Sequence, residues 1–226
     1  MTVHDIAKTE RIEMYLKAVY TIQHTAPPAT VSKVAEYMGV SLPSASEMLK
    51  RLETQRFVTS TPEDGARLTD AGRAVAIQVV RRLRLAERLL TDVLGLALPQ
   101  VYDEACKLEH VISPEVEARL DEVLGHPTTC PHGLPIPNGG ADSPPPDVPS
   151  LADLAPGTMA SVAAVPEEDT ALLTYLTGLG LVPGVEVRLQ EVAPFNGPIF
   201  FEVAGTRRAI GREAAGRVKV VKGTSA

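Results

Sequence analysis

The sequence predicts a mainly α-helical protein that carries a small β domain in its C-terminal third. Apolar residues recur at helical spacing through most of the first 124 positions, and most β-type runs occur after residue 158. Eight prolines between residues 126 and 150 predict an extended, partly flexible linker between the two regions. At 226 residues the chain is long enough for two or three small domains. We expect aliphatic cores, because the chain has only four Phe, five Tyr and no Trp.

The N-terminal region shows the pattern of a helix-turn-helix. Residues 9–24 predict a first helix, and residues 30–38 predict a second helix that ends at Gly39. After a short turn, Pro43 occupies the first turn of a helix that runs to about Gln55. Two helices joined in this way are the unit that many proteins use to place one helix in the DNA major groove.

The stretch after these helices predicts a wing and then three more helices. Two short β-type runs, residues 57–60 and 66–69, flank an Asp-Gly turn and indicate a β-hairpin, which would complete a winged helix. Helices are then predicted from residue 69 or 70 to about 94, at about 99–112 and at about 114–124. Their apolar faces are wider than a monomer of this size needs, which favours a homodimer. The alternative is that these helices simply pack on the winged helix.

The C-terminal region predicts a small β-barrel. Brief β-type runs occur at residues 159–162, 185–189, 199–203 and 218–221, with a helix near 167–178 between them. Nothing in this region has a catalytic pattern. Because the chain has no 18-residue apolar run and no secretory signal pattern, we expect a soluble cytoplasmic protein.

A thiol, a carboxylate and an imidazole lie within five residues of one predicted helix. Cys106 stands three residues before Glu109 and four before His110, so a helix would place the three side chains on one face. Sulfur, oxygen and nitrogen donors together suit a divalent transition metal better than calcium or magnesium. Taken alone, the stretch also fits a buried cysteine beside a solvated Glu-His pair. Met14, in the first helix, is a further soft ligand.

Charge and side-chain chemistry place the candidate DNA contacts in the N-terminal region. The net charge is −6, but residues 1–78 carry equal numbers of acidic and basic side chains, and four arginines lie between residues 79 and 90. The first turns of the second helix of the helix-turn-helix are expected to enter the major groove with Pro43, Ser44, Ser46 and Glu47. The candidates for phosphate contact, each also explicable as a solvated surface charge, are Lys33, Lys50, Arg51, Arg56 and Arg67.

Several segments resemble the diphtheria toxin repressor family of metal-dependent transcriptional regulators. They are residues 13–17, 84–92 and 103–110, and residues 131–137 and 178–184 also resemble segments of the family. The resemblance implies a homodimer that binds double-stranded operator DNA and an architecture of four parts. These are a winged helix-turn-helix at 1–74, a helical metal-binding and dimerisation domain at 75–138, a proline-rich linker at 139–150 and an SH3-like, FeoA-type domain at 151–226.

The resemblance also implies a primary, activating metal site. Its ligands would be Met14, Cys106, Glu109 and His110, the set found in iron-responsive members of the family. Manganese-dedicated members have carboxylates at the positions of Met14 and Cys106, so ligand softness favours Fe²⁺ while Mn²⁺ stays open. Such a metal would join the DNA-binding and dimerisation domains, favour operator binding and so repress metal-uptake genes.

An ancillary metal site of the family departs from the pattern in this chain. Its two histidines correspond here to Leu83 and Tyr102, and leucine cannot bind a metal. Oxygen ligands remain available from Glu87, Glu167, Glu168 and Asp169, so the second site is either rebuilt from oxygens or lost. Cys130 and His132, which lie in the predicted linker, are given no ligand role.

Three other functions compete with metal-gated DNA binding. An enzyme is disfavoured because the chain has no HExxH motif, no glycine-rich phosphate loop and no candidate Ser-His-Asp set. A redox sensor would use Cys106, with Cys130 as the resolving thiol. A winged-helix regulator could also be gated by an organic ligand. Tightening on DNA that a chelator abolishes and a reductant does not would separate metal gating from all three.

Overall fold

The computed structural model describes residues 3–61, 63–138, 140–141 and 143–222, with the backbone alone for residues 3–8. No helix in this part of the chain is long and apolar enough to cross a membrane. The chain divides into two compact units. The first contains the residues up to Leu83 with Lys107–Ala118 and Ile136–Pro145, and the second contains Arg84–Cys106, Arg119–Pro135 and the residues from Pro146 onward.

The first unit contains the predicted helix-turn-helix and wing. Helix α1 (Val3–Thr25) is followed by α2 (Val31–Tyr37), α3 (Leu42–Thr54) and a hairpin of β1 (Val58–Thr61) and β2 (Gly65–Leu68). The side chain of Thr30 accepts a hydrogen bond from the Lys33 amide to begin α2, and Ser41 does the same for Ser44 at α3. Buried aliphatic and tyrosine side chains from α1, α3 and the wing form one core, including Tyr15, Leu16, Val19, Leu49 and Leu52. The predicted winged helix is confirmed.

Three helices follow the wing. They are α4 (Asp70–Arg88), which continues as a π-helical turn over Leu89–Val93, then α5 (Leu98–Leu108) and α6 (Pro114–Val123). The predicted extent of α5 to about residue 112 is wrong. The amides of Val111 and Ile112 both bond to the Leu108 carbonyl, and Pro114 disfavours helical backbone at Ser113. Glu109 and His110 therefore lie in the turn that follows α5.

The C-terminal domain is built on one antiparallel sheet of five strands in the order β6-β5-β4-β3-β7. The elements are β3 (Met159–Ala164), α7 (Thr170–Gly178), β4 (Glu186–Val192), β5 (Ile199–Val203), β6 (Thr206–Ile210), α8 (Arg212–Gly216) and β7 (Lys219–Lys222). The predicted SH3-like domain is confirmed, but its barrel is not closed, because no ladder among the described residues joins β6 to β7. Strand β6 escaped prediction because Ile210 is its one buried residue, so it shows no apolar alternation.

Residues 129–135 form a hydrogen-bonded loop in which Cys130 and His132 are buried, so the expectation of an extended linker over 126–150 is wrong for this stretch. The Cys130 amide donates to the Leu134 carbonyl at 2.8 Å, and the Gly133 amide donates to the Cys130 carbonyl at 2.9 Å. Outside the loop, the Val165 amide donates to the His132 carbonyl at 3.0 Å. These bonds fix the loop against the chain that follows β3.

Gly133 of this loop lies close against the backbone of β3. Its φ is +86°, and a β-carbon there would lie 1.9 Å from the Ala163 carbonyl oxygen. A non-glycine residue in left-handed backbone costs about 1–3 kcal/mol. We expect Gly133→Ala to lower the free energy of unfolding by more than this, because the added methyl group would also clash with β3. Gly157→Ala is the matched control, since Gly157 has the same φ but open space around it. Equal losses for the two variants in chemical denaturation would show that the close approach does not matter.

Candidate metal centre

A chain of ion pairs runs through the first unit and centres on Glu109 and His110. Arg82 Nη2 donates to Glu13 Oε1 at 2.9 Å, and His110 Nδ1 contacts Glu13 Oε2 at 2.7 Å. On its other side, His110 Nε2 lies 3.1 Å from Glu109 Oε1, to which Lys17 Nζ donates at 2.5 Å. Glu109 is 1% exposed and Lys17 is 5% exposed. Helix α1 therefore contributes a carboxylate and an ammonium to a site whose other members come from α4 and the turn after α5.

These contacts shift the proton affinities of the site. Burial would raise the pKa of Glu13, but hydrogen bonds from His110 and Arg82 outweigh it and lower that pKa below its usual value. Burial would likewise lower the pKa of His110, but hydrogen bonding to Glu109 and then to Glu13 raises it to about 9. In the metal-free protein His110 is thus an imidazolium near neutral pH, and a metal that binds its nitrogen must displace a proton.

The Glu109–His110 pair has the features of a metal site. Glu109 Oε2 is buried and has no hydrogen-bond partner among the described residues, so it can accept a cation. Glu13 holds Nδ1 of His110, which leaves Nε2 as the nitrogen that faces Glu109; a carboxylate behind a histidine in this way is the usual support of a metal-binding imidazole. Met14 directly follows Glu13 on α1, and Cys106 stands on α5 about one turn before Glu109.

Sequence reasoning did not assign Glu13 or Lys17 to this site. Only their position in the first helix points to the site. Glu13 directly precedes the candidate ligand Met14, and Lys17 lies one helical turn after Glu13 on the same face of α1. Nothing local links either residue to Glu109 or His110, which are more than 90 positions away along the chain.

A second cluster of potential metal ligands lies in the second unit. One ligand atom from each of Glu87, Cys130, His132 and Glu167 lies within 4.8 Å of the others. His132 Nδ1 is 3.3 Å from Glu87 Oε1 and 4.0 Å from Cys130 Sγ. Both Glu87 oxygens, Glu167 Oε2 and His132 Nε2 are buried, and among the described residues none of them has a partner in good hydrogen-bond geometry. So many unsatisfied polar atoms in one place fit a bound cation.

Two arginines one turn apart on α4 hold the 129–135 loop over Glu87. Arg84 Nη1 donates to the Pro135 carbonyl, and Arg88 Nε donates to the Thr129 carbonyl at 2.7 Å. The loop thereby presents Cys130 and His132 to the α4 carboxylate. The bond from Val165 to His132 brings the chain just before Glu167 to the same place.

Protonation in the second cluster is shifted by burial and by its two carboxylates. Burial and the charges of Glu87 and Glu167 raise the pKa of the Cys130 thiol well above its ordinary value. Burial, then the charge of Glu87, raises the pKa of Glu167 to about 7. Burial opposes a charged His132, but its contact with Glu87 outweighs this and raises its pKa. Without a metal, the cluster therefore retains protons that a dication would replace.

The structure separates the four oxygen ligands considered for an ancillary site. Glu87 and Glu167 join the cluster with Cys130 and His132, to which the sequence analysis gave no ligand role. Asp169 accepts a hydrogen bond from the Leu172 amide at 2.9 Å and caps α7, and Glu168 is not among the four clustered residues. The two positions that replace histidines are Leu83, which is buried, and Tyr102, which is half-buried. The sequence signal for the two missed ligands was that Cys130 and His132 are only two residues apart, on either side of Pro131.

The candidate DNA contacts differ in how accessible they are. On α3, Pro43, Glu47, Lys50 and Arg51 are exposed, whereas Ser44 and Ser46 are half-buried. The Lys33 ammonium donates to the carbonyls of Ala26 at 2.6 Å and Pro27 at 3.3 Å, so this lysine is tied to the loop before α2. In the wing, exposed Arg67 pairs with Asp64 at 3.2 Å.

The four arginines between residues 79 and 90 are not a surface patch for phosphate. Arg82 and Arg84 make the contacts given above, as does Arg88. Arg81 donates to Glu117 at 2.9 Å and to the Pro137 carbonyl at 2.7 Å. This basic run anchors neighbouring segments of each unit.

Comparison with known proteins gives the same family across the chain. Residues 8–66 match the N-terminal DNA-binding domain of the iron-dependent repressors, and residues 69–138 match their metal-binding and dimerisation domain. Residues 150–222 match the FeoA domain.

Individual relatives are similar over much of the chain. The iron-dependent repressor IdeR of Mycobacterium tuberculosis is 36% identical over 222 residues, which are 93% of this chain and 96% of that protein. The diphtheria toxin repressor of Corynebacterium efficiens is 45% identical over 125 residues, 55% of this chain and 54% of that protein. Among solved structures, a manganese-dependent transcriptional repressor in complex with manganese is 33% identical with a TM-score of 0.86, covering 93% of this chain and 99% of that one.

In chelator-stripped protein, the raised pKa of His110 makes stability depend on pH. The stabilisation from its ion pairs is complete below the unfolded-state pKa of about 6.5 and is lost as pH rises through about 9. NMR titration of the His110 ring should report the raised pKa, and Glu13→Gln should bring it closer to its ordinary value. An unshifted His110 in the wild type would contradict the ion-pair chain.

Proposed function

The chain belongs to the iron-dependent repressor family, and on this premise we propose that it is a metal-gated transcriptional repressor that binds operator DNA as a homodimer. The observation that carries the proposal is the buried Glu109–His110 pair, whose imidazole is oriented by Glu13 from α1. A carboxylate oxygen without a partner beside an oriented imidazole makes a cation site in the same compact unit as the winged helix.

The proposed activating ligands are Met14, Cys106, Glu109 and His110. Their support is unequal. Glu109 and His110 have the geometry of a site, while Met14 and Cys106 are proposed from the family resemblance and from their positions beside Glu13 and before Glu109 in the chain. All four are donors that Fe²⁺ and Mn²⁺ accept, and the two sulfur donors favour Fe²⁺.

The DNA response follows from the position of α1. This helix packs against α2 and β2, which belong to the helix-turn-helix and the wing. A bound metal would supply a dication linking α1 to the turn after α5. Glu13 keeps His110 oriented for that link, and the buried core of α1 carries its position to α2 and α3. Operator binding is then favoured because the metal stabilises one arrangement of the reading head over others.

Operator reading is proposed to use α3 and the wing. The exposed side chains Glu47, Lys50 and Arg51 and the partly buried hydroxyls of Ser44 and Ser46 lie on α3. Few of these can make bidentate contacts to bases, so we expect phosphate contacts and DNA shape to dominate. Lys33 is a weaker candidate than the sequence indicated, because its ammonium already binds two backbone carbonyls.

The second metal site is proposed to use Glu87, Cys130, His132 and Glu167. Glu168 and Asp169 are left out of it because Asp169 caps α7 and Glu168 does not belong to the cluster. A metal there would hold the 129–135 loop and the chain after β3 to α4. A thiol among its donors suits Zn²⁺ or Fe²⁺ better than Mn²⁺.

We further propose that the protein acts in the cytoplasm and catalyses no reaction. IdeR of Mycobacterium tuberculosis, which is similar over 93% of this chain, is an iron-dependent repressor, and the solved structure compared above is a manganese-dependent one. Iron and manganese therefore both remain candidates for the physiological metal, and gating by an organic ligand or by thiol oxidation has no specific structural support.

The first test is operator-type DNA binding by chelator-stripped protein, titrated separately with anaerobic Fe²⁺ and with Mn²⁺. Metal should tighten binding by about 5- to 150-fold, the usual range for allosteric coupling. Glu109→Gln and His110→Ala should remove most of this gain, and Cys106→Asp should shift the preference towards Mn²⁺ because it replaces a soft donor by a hard one.

The matched control for these variants is Glu122→Gln, an exposed carboxylate on α6 paired with Arg119. It should respond to metal as the wild type does. DNA binding that ignores both metals in the wild type would overturn metal gating and leave only a winged-helix DNA-binding protein.

The second cluster has its own test in the metal content of the protein. Cys130→Ser combined with Glu87→Gln should lower bound Zn²⁺ by one equivalent per chain and reduce the metal-dependent rise in Tm. The Glu109→Gln variant should retain that equivalent. Unchanged stoichiometry in the double variant would show that the cluster is not a metal site.

A further inference from the structure

Lys17 already places a positive charge on the carboxylate proposed to bind the activating metal. Its Nζ lies 2.5 Å from Glu109 Oε1, and both side chains are almost fully buried. His110 Nε2 lies 3.1 Å from the same oxygen. One carboxylate oxygen is therefore shared by two nitrogen groups of the protein itself.

A buried ammonium is stable only while a partner compensates its charge, and the same holds for the buried carboxylate. In the metal-free protein Lys17 and Glu109 meet this requirement for each other. A metal that binds Glu109 brings a second, larger positive charge to the same carboxylate. Either Lys17 leaves Glu109, or two cations stay close in a site with little water to screen them.

We infer that Lys17 is a built-in competitor that occupies the metal-binding carboxylate until metal displaces it, and so raises the metal concentration at which the repressor is activated. This inference rests on the proposed activating site. The geometry supports competition for the charge of the carboxylate: Glu109 Oε2 has no partner among the described residues, but Lys17 on Oε1 already compensates the negative charge that would hold the metal. Lys17 also lies one helical turn after Glu13 on α1, so its release changes the contacts of the helix that carries Met14.

The two possible roles of Lys17 predict opposite changes in metal affinity when the lysine is removed. If Lys17 competes, its removal leaves Glu109 without this partner in the metal-free state and makes metal binding tighter. If Lys17 supports the ligand geometry, its removal makes metal binding weaker. The wild-type salt bridge thus lowers metal affinity in the first case and raises it in the second.

The experiment measures Mn²⁺ affinity of chelator-stripped, full-length protein at fixed pH and ionic strength, by competition with a fluorescent chelator. Lys17→Met keeps an unbranched apolar side chain of similar length and should bind Mn²⁺ more tightly, by about 5- to 150-fold. Lys17→Arg keeps the competing cation and should stay near the wild type. Lys222→Met removes an exposed lysine of β7 and controls for the change in net charge.

A His110→Ala variant assigns the measured binding to the activating site. If the wild type shows no Mn²⁺ binding that depends on His110, the proposed site fails and the competitor with it. If such binding exists but Lys17→Met is unchanged or weaker, the competitor alone is overturned.

A second measurement needs no variant and decides the question if Lys17→Met does not fold. The buried Lys17 ammonium should give a slowly exchanging ¹⁵N–¹H signal in the metal-free protein. Diamagnetic Zn²⁺ should shift or abolish that signal while leaving exposed lysines unchanged. A Lys17 signal that persists unaltered in the Zn²⁺-loaded protein would overturn displacement.

Discussion

The structure depends on how buried carboxylates are compensated. Glu109 is 1% exposed and Glu87 is fully buried, and neither can keep its charge without a positive partner close by. Glu109 contacts Lys17 and His110. Glu87 contacts His132, and Arg84 and Arg88 flank it along α4. Helix α1, the turn after α5 and the 129–135 loop supply Lys17, His110 and His132 as these partners. In the proposed function, an ion from solution replaces part of this compensation.

The local parts of this fold were readable from the sequence. The helix end at Gly39, Pro43 in the first turn of α3, the Asp-Gly turn of the wing and the spacing of apolar residues all act within a few positions, so pattern alone predicted the winged helix. The same short-range pattern predicts the cluster of donors from Cys106 to His110. Its helical geometry was overestimated, because the end of α5 is set by backbone bonds to Leu108 and by Pro114.

The contacts that complete each site are non-local and left little pattern to read. Lys17 and Glu109 are 92 positions apart, and Glu13 and His110 are 97 apart. The arginines of α4 resembled a basic surface, yet their partners are backbone carbonyls and carboxylates of distant segments. In the same way, prolines around Cys130 indicated a linker, whereas the loop is held by Arg84, Arg88 and the close approach of Gly133 to β3.

The retained protons of the two sites carry a consequence for calorimetry. His110, Glu167 and Cys130 have raised pKa values in the metal-free protein, and a metal that uses them as ligands releases protons into the medium. The buffer takes up those protons with its own heat of ionisation. The apparent enthalpy of metal binding will therefore change between phosphate and Tris at one pH, and its slope against the buffer's ionisation enthalpy counts the protons exchanged for each metal ion.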